Sequence, residues 1–190
     1  MKNCTFVFLR HGETTQNDND FFRELTPDGI NQVLTFREKH EDFDIFISSP
    51  AMRAVQTAQI MVGFPNKEII QLEILYRLPD PEENNILMDM LRRNKNLSLK
   101  DYYRLEKGGD FDFLMKIGIE GEKELKRRDI NRRKVLIVAQ SVTIQSLVHA
   151  MFSNSEQAKN IALDGILWEC QAIKIVTDDE GKVSSAYIIS

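Results

Sequence analysis

Apolar positions along the chain follow two rhythms. Thr5-Phe6-Val7-Phe8-Leu9 is a compact β-branched and aromatic run that stops at Arg10-His11-Gly12, which predicts a buried strand entering a loop. Val135-Leu136-Ile137-Val138-Ala139 is the most strand-like segment, and residues 43–47 and 68–75 predict two more strands. Between these runs the spacing becomes helical. Thr26 can cap a helix opened by Pro27, with Ile30, Val33 and Leu34 at helical intervals. Ser48-Ser49-Pro50 predicts a second cap and helix-opening proline, followed by one apolar face of Ala51, Ala54, Val55, Ala58, Met61 and Val62. Ile144, Leu147, Val148, Met151 and Phe152 keep the same period. Residues 76 to 133 are less regular, with helical stretches near 83–93 and 98–107. The run 120–134 alternates acids and bases, which predicts a solvated helix rather than a nucleic-acid patch. Two late strands, near 171–176 and 183–189, flank a turn at Asp178-Asp179-Glu180-Gly181.

Strands that alternate with helices predict an α/β fold, a three-layer, mostly parallel central sheet flanked by helices. No repeat, low-complexity tract or linker interrupts it. Residues 1–190 read as a single domain in which 76–133 is a variable insertion. Ligands of such sheets sit beyond the carboxyl ends of the strands. Three polar segments fall there: residues 10–17, 48–53 and 140–143.

Composition narrows the classes. The 190 residues are 42% apolar and 28% charged, an ordinary globular balance, and the formal net charge is -4. That charge argues against a nucleic-acid partner, which usually meets a broad basic face, but suits a small phosphorylated ligand met by a few arginines. Cys4 and Cys170 are far apart and outside any paired-ligand spacing, so they read as packed thiols in a reducing compartment. The first apolar run is too short for a signal-peptide core and no stretch approaches a membrane span, so the expected location is the cytoplasm.

His11, just past a strand end between Arg10 and Gly12, can serve as nucleophile, general base or metal ligand. The only other histidines, His40 and His149, lie on helical stretches without metal-binding spacing to it. Arg53 falls in the first turn of a helix, where the backbone also favours anions. Its planar fork matches phosphoryl oxygens. Arg10, His11, the amide of Asn17 and Arg53 make a sensible phosphoryl pocket if the three loops converge.

Arg10-His11-Gly12-Glu13-Thr14 with Asn17 resembles the signature of the histidine phosphatase (phosphoglycerate mutase-like) superfamily. So do 25–29, 48–58 and the strand and helix around 135–152. The resemblance implies that His11 attacks phosphorus and becomes transiently phosphorylated, and that water then hydrolyses the phosphoenzyme. It implies that Arg10, Asn17 and Arg53 hold the phosphoryl oxygens, with no metal or other cofactor. It also implies a second active-site histidine after the 135–139 strand, where this chain has Gln140, a neutral side chain expected to reach the phosphate with reduced effect. The family's general acid would fall on Arg77. Asp80 and Glu82 are the nearest carboxylates and the tentative acids, and without one, substrates with good leaving groups such as phosphohistidine are favoured. The expected substrate is a small phosphomonoester, a phosphohistidine or a phosphoprotein. The alternative is a non-catalytic phosphate-binding or regulatory pseudophosphatase.

Overall fold

The computed structural model describes residues 1–40, 42–63, 67–93, 97–105 and 109–190. Among the described residues one six-stranded sheet runs in the order β3-β2-β4-β1-β5-β6. The strands are β1 (Thr5–Arg10), β2 (Ile45–Ser48), β3 (Ile69–Gln71), β4 (Lys134–Ala139), β5 (Ala172–Thr177) and β6 (Val183–Ile189). The first four are parallel; β5 pairs antiparallel with β1, and β6 pairs antiparallel with β5. The helices are α1 (Pro27–Lys39), α2 (Met52–Val62), α3 (Pro81–Arg93), α4 (Leu99–Leu105), α5 (Gly109–Lys126), α6 (Ser141–Met151) and α7 (Glu156–Asp164). The α/β architecture expected from the hydrophobic pattern is the one observed.

Side chains of β1 and β4 alternate between two apolar layers, as the pleat requires. Phe6, Phe8, Val135 and Ile137 enter one layer together with Leu147, Val148 and Ile144 of α6. Val7, Leu9, Leu136 and Val138 enter the other with Val33 and Phe36 of α1 and Ala54, Ala58 and Met61 of α2. Thr26 caps α1 through an oxygen that accepts from the Gly29 N–H at 2.9 Å, with Pro27 in the first turn as its fixed φ favours.

Several local expectations fail for identifiable reasons. Ser49 does not cap α2, because its backbone N–H donates to Val138 O at 2.9 Å and prolongs the β2–β4 pairing. The helix therefore opens at Met52, with Ala51 at the cap position and no side-chain cap bond. The strand expected over 68–75 shortens to three residues, and a 3-10 turn follows at Glu73–Leu75, burying Ile74 and Leu75. The charged helix begins earlier and ends at Lys126, before the 127–133 turn, rather than filling 120–134. Residues 106 and 107 of the expected 98–107 helix lie outside the described residues. Helix α7 lies outside the pattern predicted from the sequence, although Ser155 caps it by accepting from Ala158 N. The 76–133 stretch is woven into the core, contributing Leu87, Met90, Leu99, Leu114, Ile117 and Leu125.

Candidate active site

The residues at the carboxyl edge of the parallel strands converge. Backbone pairing continues past β1, since His11 N–H donates to Ala139 O at 3.3 Å and Cys170 N–H reaches the carbonyls of Arg10 and His11. His11 is thus held from both sides. Gly12 lies against α1 so closely that a Cβ there would sit 2.6 Å from Gly29 O, and a Cβ on Gly29 would sit 2.1 Å from Glu13 O. The loop after β1 is further fastened by a Thr14–Leu25 bridge, by Thr15 N–H donating to Glu24 O at 2.8 Å, and by Thr26 N–H donating to Glu13 O at 3.0 Å. Residues 16–23 form an excursion between these fixed ends and carry a 3-10 turn at Asp20–Phe22.

The His11 ring is buried. Its Nδ1–H donates to Gly12 O at 2.8 Å, which leaves the Nε2 lone pair facing Arg53, whose Nε–H donates to it at 3.0 Å. Burial and then the Arg53 charge hold the imidazole well below its ordinary pKa, against the opposing Gly12 bond. A neutral ring with its lone pair at the pocket is the form a nucleophile needs.

Arg53, in the first turn of α2, is buried, and three of its four remaining N–H groups are taken. Nη1 donates to Asp20 O, and Nη2 donates to Asp20 Oδ2 at 2.8 Å. Gln140, at the cap position of α6, turns its amide oxygen to Arg53 Nη2 at 2.9 Å and donates its nitrogen to Leu75 O at 3.2 Å. The amide N–H of Gln140 is therefore directed at the backbone of the 73–75 turn. Arg10 is likewise engaged, donating to Leu167 O and forming an ion pair with Glu169. Burial lowers the Arg10 pKa, with Glu169 opposing.

These groups line one cavity of about 520 Å³. Arg10, His11, Asn17, Arg53 and Gln140 all face it. So do Asp18, Asp20, Arg23, Tyr76, Arg92 and Glu169, which sequence reasoning passed over. The Tyr76 phenol is pushed up, first by burial and then by the charge of Asp20 beside it. Asn17 is exposed, and its side-chain oxygen accepts from Asn19 N–H at 2.9 Å. Asp80 and Glu82 are not brought to the cavity. Asp80 caps α3, accepting from the N–H groups of Glu82 and Glu83 at 2.9 Å each, and both carboxylates are exposed. Asp80 thus serves as a helix cap, where a carboxylate also meets the favourable end of the helix dipole. Asp20 gave no such signal, because its role depends on the 16–23 excursion folding back over α2.

Met88 and Leu91 of α3, Leu97 just ahead of α4, Tyr102 of α4 and Ile117 of α5 reach the same cavity. Its floor is thus polar and fixed by the sheet, and its far wall comes from the irregular middle of the chain and is mostly apolar, with Tyr76 and Arg92 as polar members. Among the described residues no group of three or more His, Cys, Asp or Glu side chains stands close enough to hold a metal ion. No helix of the described residues is long and apolar enough to cross a membrane.

Comparison with known proteins adds an independent line. Residues 6–78 match the sequence profile of the histidine phosphatase superfamily, branch 1. No curated protein sequence matches the chain significantly. Solved structures match it over nearly its full length. A phosphoserine phosphatase variant from Entamoeba histolytica, in complex with phosphoserine, superposes with a TM-score of 0.67 at 21% identity, over 96% of each chain. The protein histidine phosphatase SixA, complexed with tungstate, gives 0.57 at 14% identity, over 98% of this chain and 96% of that one. A mycobacterial glucosyl-3-phosphoglycerate phosphatase gives 0.63 at 17% identity, over 97% of this chain and 96% of that one. At these identities the structural likeness concerns the fold.

Proposed function

We propose, from the histidine phosphatase superfamily signature of residues 6–78 and that superfamily's fold around it, that this chain is a metal-independent phosphatase working through a phosphohistidine at His11. The observation that carries the reading is the buried, neutral His11 ring, whose Nδ1–H is spent on Gly12 O and whose Nε2 lone pair meets Arg53 at the edge of the arginine-lined cavity. The Nε2 lone pair attacks phosphorus, and the leaving group departs with the bonding electron pair. Water then attacks the phosphohistidine and releases inorganic phosphate. Arg53, once turned from its resting partners, and Arg10 stabilise the oxygens on which charge develops. The substrate is a small phosphomonoester or a phosphohistidine group. Turnover is reduced, since Gln140 offers no cationic donor where a second histidine would stand, and Asp80 caps α3 while Glu82 lies exposed in its first turn, neither reaching the cavity.

The test is direct. Incubation with a radiolabelled phosphoryl donor such as phosphoramidate labels the protein with acid-labile, alkali-stable phosphate, and peptide mapping places it on His11. His11→Ala abolishes the label. One observation favours a second reading, a phosphate-binding protein without turnover: both Arg10 and Arg53 are already paired with protein carboxylates. Phosphate binding without any acid-labile label would put that reading first.

A further inference from the structure

Asp20 is tied to the nucleophile through a single side chain. Arg53 contacts His11 Nε2 through Nε and the carboxylate of Asp20 through Nη2, at 3.0 and 2.8 Å. A phosphoryl group attacked by Nε2 has to lie against this same guanidinium. Yet four Arg53 N–H contacts already end on protein atoms: His11 Nε2, Asp20 O, Asp20 Oδ2 and Gln140 Oε1. A guanidinium has only five N–H donors. Ligand and Asp20 therefore compete for the same nitrogens.

Of the two partners, Asp20 is the one that can give way. The Arg53 side chain is 4% exposed and rooted in the first turn of α2, whereas the Asp20 side chain is 32% exposed and sits on a three-residue turn inside the 16–23 excursion. A landing site is already built. Arg23 Nη1 lies 3.4 Å from the other Asp20 oxygen, and Arg23 is itself fixed by donating to Thr15 O at 3.0 Å and to Thr14 Oγ1. A carboxylate released from Arg53 swings toward Arg23 and solvent without being left unpaired in the protein.

We propose that Asp20 is the site's own anion: it occupies the seat of the phosphoryl group on Arg53, and ligand binding and the Asp20–Arg53 contact are mutually exclusive. This rests on the reading of the cavity as a phosphoryl pocket. A tethered carboxylate competes at an effective concentration on the order of millimolar or above. Apparent affinity for every anion that uses Arg53 is thus lowered by one common factor, independent of the anion's charge. Two other roles for Asp20 predict different results. A carboxylate that only neighbours the seat repels a dianion more than a monoanion. A carboxylate that positions Arg53 strengthens binding, and its loss weakens it.

Benzylphosphonate and benzylsulfonate have the same shape and differ in charge when the phosphonate is fully ionised. Calorimetry of both with the full chain and with Asp20→Asn separates the three roles, with Asp20→Ser as a second variant and thermal melts confirming that each is folded. Under competition, both dissociation constants fall about tenfold or more in the variants, and the two factors agree within about threefold. A gain confined to the phosphonate, unchanged constants, or weaker binding of both would overturn the proposal. If neither compound binds the unaltered protein or the folded variants, the phosphoryl-pocket reading beneath it fails instead.

Discussion

Gln140→His is the substitution whose outcome the geometry constrains most closely. Gln140 accepts from Arg53 Nη2 and donates to Leu75 O. A neutral imidazole can do both, with one nitrogen accepting and the other donating. A protonated imidazole has two donors and no acceptor. It would face Arg53 and stand near Arg10, the cations that help hold His11 neutral. In the empty site the introduced ring therefore stays uncharged. It takes a proton only when a phosphoryl dianion arrives and supplies the acceptor that Arg53 cannot. A hydrogen bond to a charged group contributes roughly 1.5–3 kcal/mol where a neutral one contributes roughly 0.5–1.5. The difference, about 1–1.5 kcal/mol, corresponds to about tenfold in rate. The gain should grow as pH falls from 8 to 6, because protonation becomes easier. The assay is kcat/KM on an aryl phosphate across that range, with His11→Ala as the background. A rate at or below that of the unaltered chain at every pH, or a gain that does not change with pH, would refute the reasoning.

Three further outcomes are expected. His11 is depressed in the folded state, so its contribution to stability is complete above the unfolded value of about 6.5. Below that pH the unfolded chain binds the proton first, and stability falls by up to about 1.4 kcal/mol per pH unit until folded His11 also protonates. Denaturant titrations at pH 5 and 7 should show a shallower loss for His11→Asn; an identical loss would contradict the burial of the neutral ring. Thr26→Ala removes the cap on Gly29 N–H and should cost about 1 kcal/mol, read as a shift in urea midpoint with unchanged slope. Burial, and then the neighbouring Glu169, push the Cys170 thiol up to about 12, so iodoacetamide at pH 8 should modify it only after denaturation.

The pattern of apolar residues made the central sheet legible because β1 and β4 are buried on both faces and read as continuous apolar runs. The Thr26-Pro27 start was legible because cap and first turn are local chemistry. The Ser49-Pro50 start misled for the opposite reason. Its residues look like a cap, but a tertiary bond to Val138 keeps them extended. The cavity floor was readable, since His11, Arg53 and Gln140 each follow a strand or open a helix. Asp20, Arg23 and Glu169 were not. They act through partners 33, 9 and 159 positions away, and neither spacing nor propensity encodes such pairings.

The clamp on the loop after β1 bears on how this chain can change over time. The Thr14–Leu25 bridge and the back-to-back contact of Gly12 and Gly29 fix both ends of the 16–23 excursion to the same rigid corner. Lengthening a loop whose ends are already joined is cheap, about 0.6 kcal/mol for each doubling. Insertions and deletions there leave His11 in place while replacing whatever side chain lies over Arg53. A lineage can thereby exchange Asp20 for another lid residue, or for none, without rebuilding the nucleophile's setting.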